Sequence, residues 1–582
     1  MPTSLVQNES ILAIEVGTAV TRAVLFDVVE GQYRFVASGK APSTAESPFR
    51  DIGIGVREAI TALQDVTGGT LLGPDNNLIA PSQADGSGVD SVVATISTGP
   101  VVRTVVVGLL SDVSVQSARR LAESTYARVV EALDLSDHRK SDQQLDAVIR
   151  ARPDLVIVTG GTDGGASRSM LKMLEAIGLA CYLTPLEKRP MVLYAGNDKL
   201  AGDVQELLGA HAGMLKISHN VRPSLEVENL GPASNELASL VVNLRQRQLK
   251  GVDELNMWTG GNIVPTAYAQ GRMIRFLSRQ FDSTRGLLSV NIGASAASVA
   301  AGFGGEVVLR TYPQFGLGES LSGLLQHTDI EGILRWLPLD IAPNTLREYL
   351  YQKSLYPGSL PATTDDHAIA QAIARQALYL AVRSAQKDFP GGDHSRGVMP
   401  PLDLILAGGG AVSDGLSLGQ GLLMLLDAIQ PVGILPILID QNNLLPLLGV
   451  AAVRNNYLPV QVIDSGAFIG LGTILSVISS ANYGEQILRV KMTYSDGTDA
   501  RVDVKFGGLE VLPLPSGGTA RLTLQPLQRA DIGMGPGRGG SITVTGGALG
   551  VVIDARGRPL QFPSDPVRRR ELIKKWYYTV GG

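Results

Sequence analysis

The stretch ILAIEVGTAVTRAVLFDV, residues 11–28, decides the fold. Two runs rich in Ile, Val, Leu and Ala flank the turn at Gly17, Thr18 and Ala19, which reads as a tight hairpin between two strands. YRFVASG follows as a third strand. Such a turn aims backbone N–H groups and hydroxyls at an anion. The same strand–turn–strand shape returns in LLSVNIGASAASVAAGFGG, residues 287–305, with Asn291, Gly293 and Ser295 at the turn. A third glycine turn, Gly408-Gly409-Gly410, ends the strand LDLILA before a helix, where the missing side chains let backbone approach a flat ligand such as adenosine. Each turn alone is also what any core strand leaving a sheet would carry. The order of the three carries the information.

Around these turns lies a chain of 582 residues, too long for one hydrophobic core and consistent with three or four domains. A net charge of −5 gives no basis for a nucleic-acid-binding surface. The basic run Arg568, Arg569, Arg570, Lys574 and Lys575 is local and reads as a solvated helix face near the C-terminus. A single cysteine, Cys181, excludes an internal disulfide and any cysteine-based metal cluster, and LACYL reads as a buried strand. The N-terminal MPTSLVQNES lacks the pattern of a signal peptide, and Ser465 to Ala481 reads as a buried core helix too short for a membrane span. The expectation is a cytoplasmic protein with no membrane partner.

Strands and helices alternate from Arg103 to Gly209, with Ser114 and Asp198 as expected N-caps, which predicts a parallel doubly wound sheet. A second α/β segment follows, with a long helix over Asp365 to Lys387. After Tyr483 short alternating runs between Gly, Asp and Pro turns predict a small all-β domain. No short internal repeat is visible.

In their order and spacing the three glycine turns resemble the phosphate-1, phosphate-2 and adenosine elements of the actin, Hsp70 and sugar-kinase ATPase superfamily. More narrowly, the chain resembles the glutamate mutase accessory L family, relatives of the actin-like ATPases often encoded beside adenosylcobalamin-dependent mutases. The first hairpin, VVVGLLSDVSVQSARR, DLVIVTGGTDGG, VLYAGND, VNIGASA, ILAGGG, ILID and LLPLLG carry that resemblance, which covers roughly residues 10–460. It implies an α/β, two-lobed, actin-like (ribonuclease H-like) fold. The first lobe would span residues 1–102, an inserted doubly wound domain 103–209, the second lobe 210–484, and a β-rich domain with a basic terminal helix 485–582. It further implies ATP or ADP with Mg²⁺, held by Glu15, Gly17, Thr18, Thr21, Arg22, Asn291, Gly293, Ser295, Gly408, Gly409 and Gly410, with Glu15 as the metal-side residue. The implied role is that of a chaperone-like or reactivase-like accessory protein acting on a protein partner, an adenosylcobalamin-dependent mutase, with self-assembly left open.

Departures from the pattern bear on chemistry. The superfamily places Asp first in both phosphate loops, to hold hydrated Mg²⁺ and orient water. Here Glu15 is longer by a methylene, about 1.5 Å, and Asn291 carries no charge. Ala294, Ala296 and Ala297 replace the usual glycine and threonines, leaving Ser295 and Ser298 as the hydroxyls. The expectation is at most a weak ATPase. Glu319 sits at a loop–helix junction after the second hairpin, as a nucleotide contact or a helix N-terminal acid. Gly160 to Gly165 lies where open α/β sheets bind ligands, with Asp163 as its one acid, and reads equally as an anion cradle or a tight packing turn. The inserted domain shares its topology with cobalamin-binding domains but lacks their Asp-x-His-x-x-Gly signature. None of His138, His211, His219, His327, His367 and His394 supplies it or forms a metal-ligand pair, so no directly bound cobalamin is expected. The alternatives are a scaffolding protein with a relic cleft and a small-molecule kinase, the latter opposed by Asn291.

Overall fold

A computed structural model describes residues 9–391, 397–413 and 417–581. In the first lobe, Ile11–Val16 pairs antiparallel with Val20–Val29, which pairs antiparallel with Gln32–Pro42. On its other side Ile11–Val16 runs parallel to Ser91–Ile96, and that strand parallel to Ile263–Pro265. The second lobe repeats this plan. Gly286–Ile292 pairs antiparallel with Ala297–Phe303, which pairs antiparallel with Glu306–Tyr312, and its other edge runs parallel to Leu402–Gly408 and then Gly433–Asp440. Both sheets thus have the strand order 3-2-1-4-5 with an antiparallel hairpin on one side and parallel crossovers on the other. Two ribonuclease H-like sheets facing a common cleft are the actin-like architecture, though the sequence shows no repeat at their level.

The Thr266–Ser278 and Leu444–Ala451 helices pack between the sheets. Met273, Ile274, Leu444, Leu447 and Leu448 form one buried cluster with Ile11 and Val24 of the first lobe and Leu287 and Ala300 of the second. A continuous apolar core across both lobes ties them together.

Between the lobes' first halves the chain builds a wholly parallel sheet in the order Ala127–Leu133, Val102–Val107, Leu155–Val158, Met191–Tyr194, Met214–Ile217. Two local expectations fail here. Cys181 lies in the Ser167–Leu183 helix, because Met170, Leu174, Ile177 and Cys181 recur at helical spacing on one buried face. Ser114 and Asp198 are not N-caps. The Ser114 hydroxyl accepts from Leu110 N (2.9 Å) inside a π-helical turn, and Asn197, one residue before Asp198, caps the short turn that follows.

Ser465 to Ala481 also departs from expectation, since it contains the strand Ile469–Ser476, antiparallel to Gly433–Asp440. Its glycines disfavour a helix and permit close pairing: a Cβ on Gly472, at φ +118°, would lie 1.9 Å from the carbonyl oxygen of Gly550. Past it, Gln486–Tyr494, Asp499–Lys505, Thr519–Pro526 and Gly540–Thr545 form a four-stranded antiparallel sheet. Leu509–Leu512 and Val551–Asp554 instead extend the sheet of the second lobe. The Pro566–Thr579 helix, which carries the basic run, docks on that lobe through Ile573 and Trp576, and Arg570 pairs with Asp340 at 3.0 Å. Beneath it Arg556 bridges Asp427 (2.6 Å) and Asp554 (2.9 Å), and Arg558 joins Asp554 at 2.7 Å. Burial works against the Asp554 carboxylate, but the two guanidiniums outweigh it and hold its pKa far below the usual range. No helix among the described residues is long and apolar enough to cross a membrane.

Candidate functional site

The two hairpin turns open onto one cleft of about 570 Å³ between the lobes. Each is closed by the same bond: Gly17 N donates to Val20 O at 3.1 Å, and Gly293 N to Ala296 O at 3.1 Å. The glycines differ in what requires them. A Cβ on Gly17 would sit 2.6 Å from the Val20 carbonyl oxygen, so the turn itself demands glycine. A Cβ on Gly293 would meet nothing within 4 Å, so that glycine keeps cleft space open. Gly409, at φ +91°, lies against the second hairpin, where a Cβ would come within 2.3 Å of Ile292 O.

Strand register sets the charged centre. Glu15 and Arg22 are cross-strand partners, and Arg22 Nη1 meets Glu15 Oε2 at 2.9 Å, with both residues only 5% exposed. The other Glu15 oxygen accepts from Asn443 Nδ2. Asn443 Oδ1 accepts in turn from Asn291 Nδ2 at 2.6 Å. Glu15 and Asn291, the equivalent positions of the two lobes, are therefore joined across the cleft floor through one amide. Asn443 is in left-handed backbone (φ +53°), which Asn tolerates better than most residues. Beside it the Asp440 carboxylate accepts Leu444 N and Leu445 N, both at 2.7 Å, at the start of the Leu444–Ala451 helix. Burial pushes the Asp440 pKa up to about 6, against these backbone donors.

Glu15, Gly17, Thr18, Arg22, Asn291, Gly293, Ser295, Gly409 and Gly410 all line the cleft. Thr21 does not. It alternates with Val20 and Arg22 along its strand and is buried on the other face. Gly408 lies beneath the surface, against Asn443 and Asn291. Glu319 opens a 3₁₀ helix outside the cleft lining. Sequence reasoning missed Asn443, and also Tyr126, Thr266, Tyr349, Lys353 and His367 on the walls. The pair Asn442-Asn443 just before LLPLLG was the available signal for Asn443, since Asn favours turns and left-handed backbone. Lys353 and His367 carried none. Burial lowers the Lys353 pKa, and its ammonium donates to Ser359 O.

Mg²⁺ at Glu15 does not fit this arrangement. Both oxygens of Glu15 and both of Asp440 already accept protein hydrogen bonds, and Asn291 is neutral. Among the described residues no three or more His, Cys, Asp or Glu side chains are grouped to hold a metal.

The Gly160–Gly165 turn is tied from within. Asn220 Nδ2 donates to Gly161 O (2.9 Å) and to Asp163 Oδ1 (2.8 Å), and Asn197 Nδ2 to Gly165 O (2.9 Å). Asp163 is therefore a loop tie, and the following helix has no side-chain cap. Of the histidines, His211 and His327 meet the rings of Tyr182 and Phe315 edge-on, His219 meets Asp198 at 3.2 Å, and His394 lies outside the described residues.

The inserted domain reaches the cleft from both sides. Thr18 Oγ1 meets Thr98 Oγ1 at 3.3 Å where the chain leaves for the insertion. Near the insertion's first helix, Tyr126 packs on Ala267 and on Ala296 of the second hairpin. Glu123 O accepts Thr311 N at 2.6 Å, and Arg310 bridges Glu123 (3.3 Å) and Asp388 (2.7 Å).

Among known proteins, the MutL protein family matches residues 11–466. Protein MutL of Clostridium tetanomorphum is 25% identical over 305 residues, 51% of this chain, and the match spans only 59% of that relative's length. Solved structures that align include a diol dehydratase-reactivating factor in nucleotide-free form (11% identity, TM-score 0.30, 78% of this chain and 99% of that one). The ethanolamine utilization protein EutJ of Carboxydothermus hydrogenoformans aligns at 11% identity and TM-score 0.26, over 77% and 90% of the two chains. MreB 5 of Spiroplasma citri bound to AMPPNP aligns at 10% and 0.22, over 79% and 100%. The strand orders given above, rather than these superpositions, carry the fold.

Proposed function

We propose a role that starts from family membership: the chain belongs to the MutL protein family, and its interlobe cleft holds an adenine nucleotide as a conformational effector rather than as fuel. The observation that carries this is the convergence of three glycine turns, two with the same Gly N–H to carbonyl closure, on one cleft that both lobes and the inserted domain touch. Backbone N–H groups and the hydroxyls of Thr18 and Ser295 suit phosphate oxygens, and the Gly409-Gly410 turn suits a flat base.

The same cleft lacks what fast phosphoryl transfer needs. That reaction depends on positioning and on charge set against the transferring group. Asn291 brings no charge, and Glu15 is held by Arg22 and Asn443. ATP hydrolysis is thus slow, and binding is the useful event. The family resemblance supplies the partner, an adenosylcobalamin-dependent mutase served as by a chaperone or reactivase.

The deciding experiment is acid extraction of the purified protein with chromatography for adenine nucleotide, followed by calorimetric titration with ATP and ADP. Bound or titratable nucleotide is expected. A clean negative at millimolar ATP refutes the reading and leaves a scaffold with an unused cleft.

A further inference from the structure

The cleft carries a fixed cation where this architecture ordinarily recruits a mobile one. Arg22 rises from the second strand of the first hairpin, lines the cleft, and neutralises Glu15 at 2.9 Å while only 5% exposed. Lys353 stands on the opposite wall as a second cation. Of the described carboxylates at the cleft floor, Glu15 accepts from Arg22 and Asn443, and Asp440 accepts from two backbone N–H groups. Taking Glu15 into a hydrated metal shell would put a divalent cation beside a buried guanidinium. Such a group keeps its charge at any accessible pH, so the repulsion cannot be relieved by losing a proton. A phosphate oxygen, by contrast, gains a charge-assisted donor from the same guanidinium.

We infer that the cleft binds its nucleoside di- or triphosphate without a divalent cation, with Arg22 as the built-in counter-charge. This rests on the nucleotide-binding reading above, and the experiment separates the two. ADP and ATP are titrated calorimetrically into the full-length protein in excess EDTA and again in excess MgCl₂. The Kd values are expected to agree within about threefold, with Arg22→Gln weakening both by more than about tenfold. Because Arg22 is buried, thermal midpoints check that the variant folds, and Glu15→Gln gives a second, independent sign. Removing that carboxylate charge lowers the negative potential at the phosphates, so binding tightens in both buffers. If Glu15 held Mg²⁺, the same variant would weaken binding in MgCl₂ alone.

Binding at least about tenfold weaker in EDTA, or a loss confined to MgCl₂ in Glu15→Gln, overturns the inference and leaves the nucleotide site standing. No binding in either buffer removes the nucleotide reading, and this inference with it.

Discussion

Replacing Asn443 by Asp tests the bridge between the lobes with little change in shape. Asn443 donates to Glu15 and accepts from Asn291, and its φ of +53° is one that Asp also tolerates. Asn443→Asp keeps the acceptor for Asn291 but turns the N–H donor facing Glu15 into a second carboxylate oxygen. The lost bond to a charged group alone is worth about 1.5–3 kcal/mol. Repulsion adds to that, but the protein can limit it by protonating the new carboxyl. The ceiling at pH 7 is therefore about 1.36 kcal/mol for each pH unit above an ordinary Asp pKa of about 3.9, or about 4 kcal/mol. A net loss of about 3–4 kcal/mol at pH 7 follows.

The pH dependence makes the test sharp. The new group has a folded pKa above its unfolded value, so its favourable form, a protonated acid donating to Glu15, is present at low pH and lost as pH rises above about 4. The difference from wild type should shrink by about 1.4 kcal/mol for each pH unit removed below 7, and vanish near pH 4 to 5. Thermal midpoints of both proteins across that range provide the assay, with wild type run at every pH. For a lobe-sized cooperative unit, about 2–4 °C per kcal/mol, the variant should melt roughly 10 °C lower at pH 7. A shift that is the same at both ends of the range, or below about 2 °C at pH 7, refutes the bridge.

Asp440, whose burial-raised pKa of about 6 exceeds its unfolded value, contributes stability present below about pH 4 that is lost as pH rises through 6, about 3 kcal/mol in all; Asp440→Asn should flatten that part of the midpoint-versus-pH curve, and an unchanged slope rejects it. Wild-type phosphate release at saturating Mg·ATP should stay well below about 1 per second, and Asn291→Asp should raise it more than Glu15→Asp, which only shortens a carboxylate already engaged; wild-type turnover at kinase rates would refute the degenerate site. Gly409→Ala forces a Cβ to 2.3 Å from Ile292 O at φ +91°, so a loss of about 2–5 kcal/mol is expected in denaturant melts, strain and overpacking together. Asp388→Asn weakens the Arg310 cluster, and hydrogen exchange at Thr311, whose amide donates to Glu123 O, should quicken while exchange in the Ile11–Val16 strand does not change.

What the sequence made legible follows from range. Each hairpin is written locally, as apolar runs about a glycine turn, so the turn positions of Glu15, Gly17, Asn291 and Gly293 are legible in the sequence. Asn443 is not, because its role is defined by contacts 428 residues away at Glu15 and 152 away at Asn291. Lys353 and His367 reach the cleft only through the packing of two helices, which no local pattern records. The errors have the same origin. LACYL and IGLGTIL are short apolar runs whose period is ambiguous, and tertiary partners decided them: a buried helix face at Cys181, an antiparallel neighbour at Ile469–Ser476. Leu509–Leu512 and Val551–Asp554 look like their neighbours in sequence, yet complete a sheet begun at Gly286.

The contacts of the inserted domain constrain how the cleft can work. Its entry segment touches the first hairpin through Thr18 and Thr98, and Ser97 beside it lines the cleft. Behind that segment Arg245, fully buried, holds Pro100 O at 2.7 Å, and its side chain lies 2.9 Å from where a Cβ on Gly99 would be. The entry is thus held to the Gly231–Gln248 helix, whose Leu237, Leu240, Val241 and Leu244 pack in the core of the inserted sheet. The Arg120–Tyr126 segment, in contrast, is fastened to the second lobe by Arg310, Asp388 and the Thr311 amide. The Arg310 cluster is the weaker, since Glu123 and Asp388 are partly solvent-accessible and screened, while the Arg245 clamp is not.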